Sequence, residues 1–296
     1  MDYLAAENYQ VIPLAELVNA LTGSKTPPEK SVVITIDDGY ESAFRNAWPI
    51  LKSHSYPFTV FINSKNISSG ISNYMDWDEI INLHENGVDI QSHSYAHNRL
   101  VERPKAMTES EYLAWIGDDL NKNAKIFSEK LGVNPRFFAI PYGEYNQQVM
   151  AVARQLGYEA ILTQDPGSVS QATDPHMIPR EAILGYEWAT MPHFKEVLRR
   201  VDLPITDLHP PYGNVDESPD HYGARLIDSD RYEKNSFGIY VSELGWLTPQ
   251  LKGDKLVAPG GIKLTRKLNR VMVKAREKGS GKTAVRSWLL VRNVGN

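Results

Sequence analysis

The sequence contains no cysteine. That absence excludes disulfides, thiolate metal sites and a thiol nucleophile. It does not exclude export, because a chain can be exported without disulfides. Long apolar runs are also missing: no stretch approaches the roughly 18 residues of a membrane-spanning helix. Neither sign of charge dominates. Lys and Arg number 32 against 36 Asp and Glu, a formal net charge of -4. With no long basic run, the chain offers no electrostatic footprint for nucleic acid. The N-terminus, "MDYLAAENYQVIPLAELVNAL", is too acidic and interrupted for a signal peptide. It reads as the interior of a domain, with a short helix, "YQVI", and a second helix from about Leu14. The natural gene is therefore expected to begin earlier.

What is present suits a large core. Of 296 residues, 42% are apolar, enough for one large domain or two ordinary ones. From about residue 30 to 185, apolar runs alternate with helical patterns. The runs are "SVVITID", "FTVFIN", "VDIQSHS", "RFFAIPYG" and "EAILTQD". Helices are expected over 41–52, 78–86, 108–131 and 146–156. Thr108 and Glu111 have capping-box spacing, and Gly132 closes that helix. Such alternation predicts parallel strands in an α/β sheet or barrel, with the site at the strands' carboxyl ends. Asp37, Asp38, Asn63, His93, Tyr142 and Asp165 all fall at those ends. After about residue 200 the texture changes. "DLPITDLHPPYGNVDESPD" reads as a junction. "SFGIYVSE", "GGIKLTRKL", "NRVMVKARE" and "AVRSWLLVRN" show period-two patterning, which predicts a small antiparallel β-sandwich. The basic excess of "KLTRKLNRVMVKAREK" reads as a solvated strand face.

Two motifs carry chemistry. In "SHSYAH", His93 and His97 are four apart, which on a helical turn would put both imidazoles on one side, able to share a metal. Alone, this spacing also arises by chance among surface or core histidines. In "ITIDDGY", Asp37 and Asp38 end an apolar run, and Gly39 lets the chain turn beneath them. A metal suited to two imidazoles also takes a carboxylate and keeps positions open for water and substrate. Consecutive strand residues point apart, so one carboxylate is expected to ligate while the other serves as general base.

"ITIDDGY" with "SHSYAH", followed by "FFAIPYGEYN" and "MIPRE", resembles the motif series of the polysaccharide deacetylases, the NodB-homology group of carbohydrate esterases. The resemblance covers roughly residues 8 to 200. It implies a distorted (β/α) barrel over residues 1–203, followed by the β-sandwich over residues 204–296. It also implies roles. Asp37 would be the catalytic base. Asp38, His93 and His97 would hold a divalent metal, usually zinc, with nickel, cobalt or iron as alternatives. Tyr142, after Pro141, would offer its backbone N–H to the oxyanion, and Arg180 would orient or tune Asp37. Trp77, Tyr95, Pro141, Tyr142 and Tyr145 are candidates for the sugar-binding surface.

The sequence departs from the broad family in two places. Ala139 stands where an arginine is usual, and "FAIPYGEY" is similar to the branch acting on poly-β-1,6-N-acetylglucosamine, a biofilm exopolysaccharide. Chitin oligomers, peptidoglycan and acetylated xylan are the other substrates to weigh, and a non-catalytic carbohydrate-binding protein is the alternative from another class. The general acid is the second departure. His209 in "PITDLHPP" is the candidate, but it equally well begins the second domain. His54, His84, His176, His193 and His221 have no motif support and are expected to be structural or surface residues. The resemblance implies a polysaccharide partner outside the cytoplasm, in the periplasm or beyond the bacterial cell. Oligomeric state, native metal and the role of the C-terminal domain have no sequence signal.

Overall fold

The computed structural model describes residues 1–23, 25–215 and 218–292. Asp216 and Glu217 of the expected junction, and Asn293 of the last expected strand, lie outside the described residues. The chain forms two compact units. The first comprises Met1–Tyr142, Ala151–Leu162 and Asp174–Met177, and the second Gly143–Met150, Thr163–Thr173 and Ile178–Asn296.

In chain order the elements up to residue 162 are α1 (Asp2–Ala6), β1 (Gln10–Val11), α2 (Leu14–Thr22), β2 (Ser31–Val32), β3 (Thr35–Ile36), α3 (Trp48–Ser53), β4 (Thr59–Ile62), α4 (Ser64–Ser68), α5 (Trp77–Glu85), β5 (Asp89–Ser92), α6 (Glu109–Leu131), β6 (Phe137–Ala139), α7 (Gln147–Gln155) and β7 (Ala160–Leu162). Strands β3-β4-β5-β6-β7 form a five-stranded sheet, parallel throughout. β4, β6 and β7 are buried along their whole length, which explains their continuous apolar sequences. The run "SVVITID" divides in two: Ser31–Val32 pairs with Gln10–Val11, and only Thr35–Ile36 joins the main sheet.

Local signals set the helix ends. Asp76 and Thr108 each form a complete capping box, with Glu79 and Glu111. Gly132 closes α6 in the left-handed conformation, φ 70°. The helix expected over 41–52 forms, but Ala43–Ala47 within it is π-helical, and it returns to α-helix at Trp48. Pro49 lacks the N–H that a regular ladder would use there, and it is tolerated only in the first turn of α3.

The second unit contains α8 (Met191–Leu198), β8 (Ile205–His209), β9 (Gly213–Val215), β10 (His221–Leu226), β11 (Gly238–Val241), β12 (Gly245–Leu247), β13 (Gln250–Lys252), β14 (Lys255–Pro259), β15 (Leu268–Arg276) and β16 (Thr283–Arg292). One sheet runs β13-β14-β10-β8 and the other β12-β11-β15-β16-β9. Their inward residues share one core, including Tyr222, Tyr232, Ile239, Leu256, Val271, Val273 and Trp288. The expected antiparallel sandwich is present, with one parallel pair in it, β9 with β16. One expected strand needs correction. "GGIKLTRKL" is not a strand before Leu268, because its N–H groups bond elsewhere. Gly260 and Gly261 donate to the carbonyls of Asp220 and Pro219, and Thr265 and Arg266 donate to the Glu243 carboxylate. The hydrogen bond from the Thr265 hydroxyl leads in holding that carboxyl down at about 2.

Trp288 is 1% exposed, and its Nε1 donates to the Pro210 carbonyl at 2.9 Å. Trp288→Ala should cost about 3–5 kcal/mol, read as a lower urea midpoint for the second unit.

Candidate metal centre and active site

The centre begins where β3 ends. Asp38 is left-handed at φ 76°, and Gly39 follows at φ 84°. A Cβ on Gly39 would lie 3.0 Å from Ile62 Cγ2 and 3.1 Å from Ile67 Cδ1, so glycine is needed for both conformation and space. The left-handed aspartate costs about 1–3 kcal/mol and is held from two sides. Asn63, fully buried at the end of β4, donates from Nδ2 to the Asp38 carbonyl at 3.0 Å. Met75 N donates to the Gly39 carbonyl at 3.0 Å, and Glu41 N to the Asn73 carbonyl at 2.8 Å.

The turn at Asp38 sets the direction of its carboxylate. Asp38 is not extended, so both reach the same imidazole. Asp38 Oδ1 lies 3.4 Å and Asp37 Oδ2 3.9 Å from His93 Nε2. The histidines also converge by a different route from the one expected. Residues 93–97 form a bend rather than a helical turn, with Ser94 at φ 63° and His97 at φ 53°. His97 N donates to Ser94 Oγ at 3.0 Å. His93 Nδ1 is 2.7 Å from the Ala139 carbonyl. That contact makes Nδ1 the protonated nitrogen and leaves the Nε2 lone pair facing the centre.

Three donor atoms therefore meet: His93 Nε2 and His97 Nε2 are 3.2 Å apart, and Asp38 Oδ1 is 3.0 Å from His97 Nε2. A tetrahedral ion with bonds of about 2.0–2.1 Å has ligand–ligand edges of roughly 3.3 Å. The spacing and chemistry of these three groups fit a divalent ion. Burial works against charge on Asp38, but the His93 and His97 rings beside it outweigh burial and hold the carboxyl well below the usual range. Asp38 is thus anionic, as a ligand must be.

Helix α6 holds the bend. Its buried stripe runs Tyr112, Ile116, Asp119, Leu120, Asn123, Phe127. Asp119 accepts from Tyr95 N at 2.8 Å and Ala96 N at 3.1 Å, between His93 and His97. Burial pushes its carboxyl up, against the pull of those two amides. One turn on, Asn123 Nδ2 donates to Ser92 Oγ at 2.9 Å and its Oδ1 accepts from the Ser64 hydroxyl.

Tyr142, at φ 60° and 41% exposed, lies beside the centre. Its ring stands edge-on to His97 with centroids 4.5 Å apart, and the Arg99 guanidinium lies 4.1 Å from its centroid. Pro141 is buried in the short turn before it. Tyr95 is half-buried beneath the Lys122 ammonium. Trp77 is half-buried, packs against the core below β4, and donates from Nε1 to Ser68 Oγ.

Tyr145 does not belong to a sugar-binding surface. It is fully buried, and its hydroxyl donates to Asp165 Oδ2 while accepting from Leu289 N. Burial first, and the Asp165 charge second, push its phenol far up. Asp165 Oδ1 accepts from Arg270 Nε at 2.8 Å, so Arg270 is an ion-pair partner rather than part of a solvated face. Arg180, in the second unit, donates from Nε to the Thr163 carbonyl at 2.8 Å. His209 lies in the second unit on β8, with Nε2 2.8 Å from Asp220 Oδ1.

The sequence reading missed Tyr40, Tyr74, Asn63 as a backbone clamp, and Asp119. Tyr40 is 42% exposed and pairs with Tyr74, centroids 4.7 Å apart. The hydrogen bond with Tyr74, then burial, pushes the Tyr40 phenol up to about 12, so it stays neutral. Asp119 had a signal: a carboxylate on the apolar stripe of α6 is out of place unless it has partners.

Comparison with known proteins agrees with this geometry. Residues 24–161 match the family model described as polysaccharide deacetylase. This segment is a polysaccharide deacetylase domain. A Bacillus subtilis protein provisionally named a polysaccharide deacetylase, YxkH, is 28% identical over 171 residues, 58% of each chain. The poly-beta-1,6-N-acetyl-D-glucosamine N-deacetylase of Escherichia coli K12 is 26% identical over 232 residues, covering 67% of this chain and 34% of that protein. The chain thus spans less than two thirds of the length of these relatives. The deacetylase domain of BpsB from Bordetella bronchiseptica superposes with TM-score 0.57 at 22% identity, over 60% of this chain and 81% of that one. That likeness establishes the α/β fold of the deacetylase domain.

Asp119→Asn puts an amide donor against one of the two backbone N–H groups of the bend. It should weaken divalent-ion binding by about 10- to 100-fold. Zn2+ titration reads the affinity, and thermal unfolding in chelator reads the fold separately.

Proposed function

We propose that the chain is a metal-dependent hydrolase that removes N-acetyl groups from N-acetylglucosamine units of poly-β-1,6-N-acetylglucosamine. The observation that carries this reading is the meeting of Asp38 Oδ1, His93 Nε2 and His97 Nε2, with Asp37 Oδ2 within 4 Å of the same imidazole. The deacetylases of that polymer among the chain's relatives, and Ala139 in "FAIPYGEY", support the choice of polymer.

In this reading Asp38, His93 and His97 hold the ion, taken as zinc. When bound, it lowers the pKa of its water and polarises the acetyl carbonyl. Asp37, the carboxylate left over, takes the proton of the attacking water as that oxygen bonds to the carbonyl carbon. The Tyr142 backbone N–H donates to the oxygen that gains charge. The C–N bond then breaks, acetate forms, and the sugar nitrogen leaves as an amine after gaining a proton. Asp37, protonated in the first step, is the group already in place to return one. Exposed aromatic faces of Tyr142 and Tyr40, with Tyr95 and Trp77 at the margins, would bind the C–H faces of the sugars.

Residues 1–203 are taken as the catalytic domain and 204–296 as an accessory module that positions the polymer. Such a polymer places the protein in the periplasm or outside a bacterial cell. No described helix is long and apolar enough to cross a membrane.

The test is release of free amines from β-1,6-linked N-acetylglucosamine oligomers by zinc-loaded and then chelated protein. Amine release should vanish with chelator and return with metal. Asp37→Asn should keep the ion and lose about 100-fold or more of turnover, whereas His93→Ala should lose both. No amine release by folded, metal-loaded protein sinks this substrate and turns attention to chitin oligomers and acetylated xylan.

A further inference from the structure

A second cluster of metal-ligating side chains lies in the second unit and has no part in the proposed catalysis. β8 and β10 pair antiparallel, with Gly223 opposite His209. His221 is two residues from Gly223, so His209 and His221 emerge on the same face of the sheet as diagonal neighbours. The alternate residues, Leu208 and Tyr222, pack into the sandwich core. The histidine face is therefore the outer one.

There the two imidazoles stack with centroids 3.7 Å apart and planes 4° from parallel. Both direct a nitrogen at one oxygen. His209 Nε2 is 2.8 Å and His221 Nδ1 3.0 Å from Asp220 Oδ1, which also accepts the His221 backbone N–H at 2.9 Å. The hydrogen bond from His209, then that from His221, holds the Asp220 carboxyl down at about 2. The ligating atoms lie within 4.8 Å of one another. The side chains are 40%, 79% and 35% exposed for His209, Asp220 and His221, so ion and water have access.

We propose that His209, Asp220 and His221 form a second divalent-metal site, selective for ions of borderline softness such as Zn2+, Ni2+ or Cu2+. Two imidazoles and one carboxylate are the donor set such ions prefer, and water completes the coordination. The ion replaces the ring N–H contacts to Asp220, and each imidazole turns about its Cβ–Cγ bond to bring its lone pair onto the metal. Binding joins β8 to the chain entering β10, so it stabilises the sandwich by mass action.

The experiment counts ions. The full chain, stripped with chelator, is dialysed against micromolar Zn2+ and assayed for bound metal. About two ions per chain are expected. His209→Gln with His221→Gln should retain about one, and His93→Gln with His97→Gln about one. Asp220→Asn should weaken the retained ion of the His93/His97 variant by about 10-fold or more. Equal metal content in the parent and the His209/His221 variant overturns the proposal, as does a His93/His97 variant that binds no ion. Unfolding curves in chelator report whether each variant folds. If the His209/His221 variant does not, unchanged affinity in Asp220→Asn overturns the proposal on its own.

Discussion

The candidate centre depends on one backbone conformation. Asp38 sits at positive φ at the tip of a buried strand, and the site's geometry follows from it. An extended Asp38 would send its carboxylate to the opposite side from Asp37, and the two histidines would face a single acid. The left-handed turn gives them two. The strain is local, and its restraints come from separate parts of the chain: the Asn63 amide, the close packing of Gly39 on Ile62 and Ile67, and the bonds to the 73–75 segment. Each is buried or backbone-mediated, so the tip is set by the fold itself.

The histidine side shows the same economy. Ser94 and His97 are also left-handed, in a bend rather than a helical turn. Asp119 receives two of the bend's amides, and the Ala139 carbonyl orients His93. The residue at 139 reaches the centre through its backbone. A change of side chain there leaves the hydrogen bond to His93 available.

Much of this was legible in the chain, and the limits are physical. The strand–helix alternation showed because β4, β6 and β7 are buried on both faces and must be apolar. The caps of α5 and α6 showed because their bonds are local. The motif residues Asp38, His93 and His97 do meet, but by turns that periodicity does not encode: positive φ at Asp38, Ser94 and His97 depends on contacts from distant segments. Tyr145 looked like a surface aromatic because it lies next to the motif, and its burial is set by Asp165 and Leu289, far along the sequence. His221 carried no signal at all. Its partner His209 is adjacent only through strand register.

Helix α6 spans 23 residues, and three of its side chains reach the chain around the centre: Tyr112 to the Leu100 carbonyl, Asp119 to the bend, Asn123 to the ends of β4 and β5. A helix turns about 100° per residue. One residue gained or lost between Tyr112 and Asn123 would therefore rotate part of this set off the sheet. Residues added beyond Phe127 would only lengthen the rod. The helix acts as a phase standard for the domain, tolerant of change in length at its far end and intolerant of any slip within its middle turns.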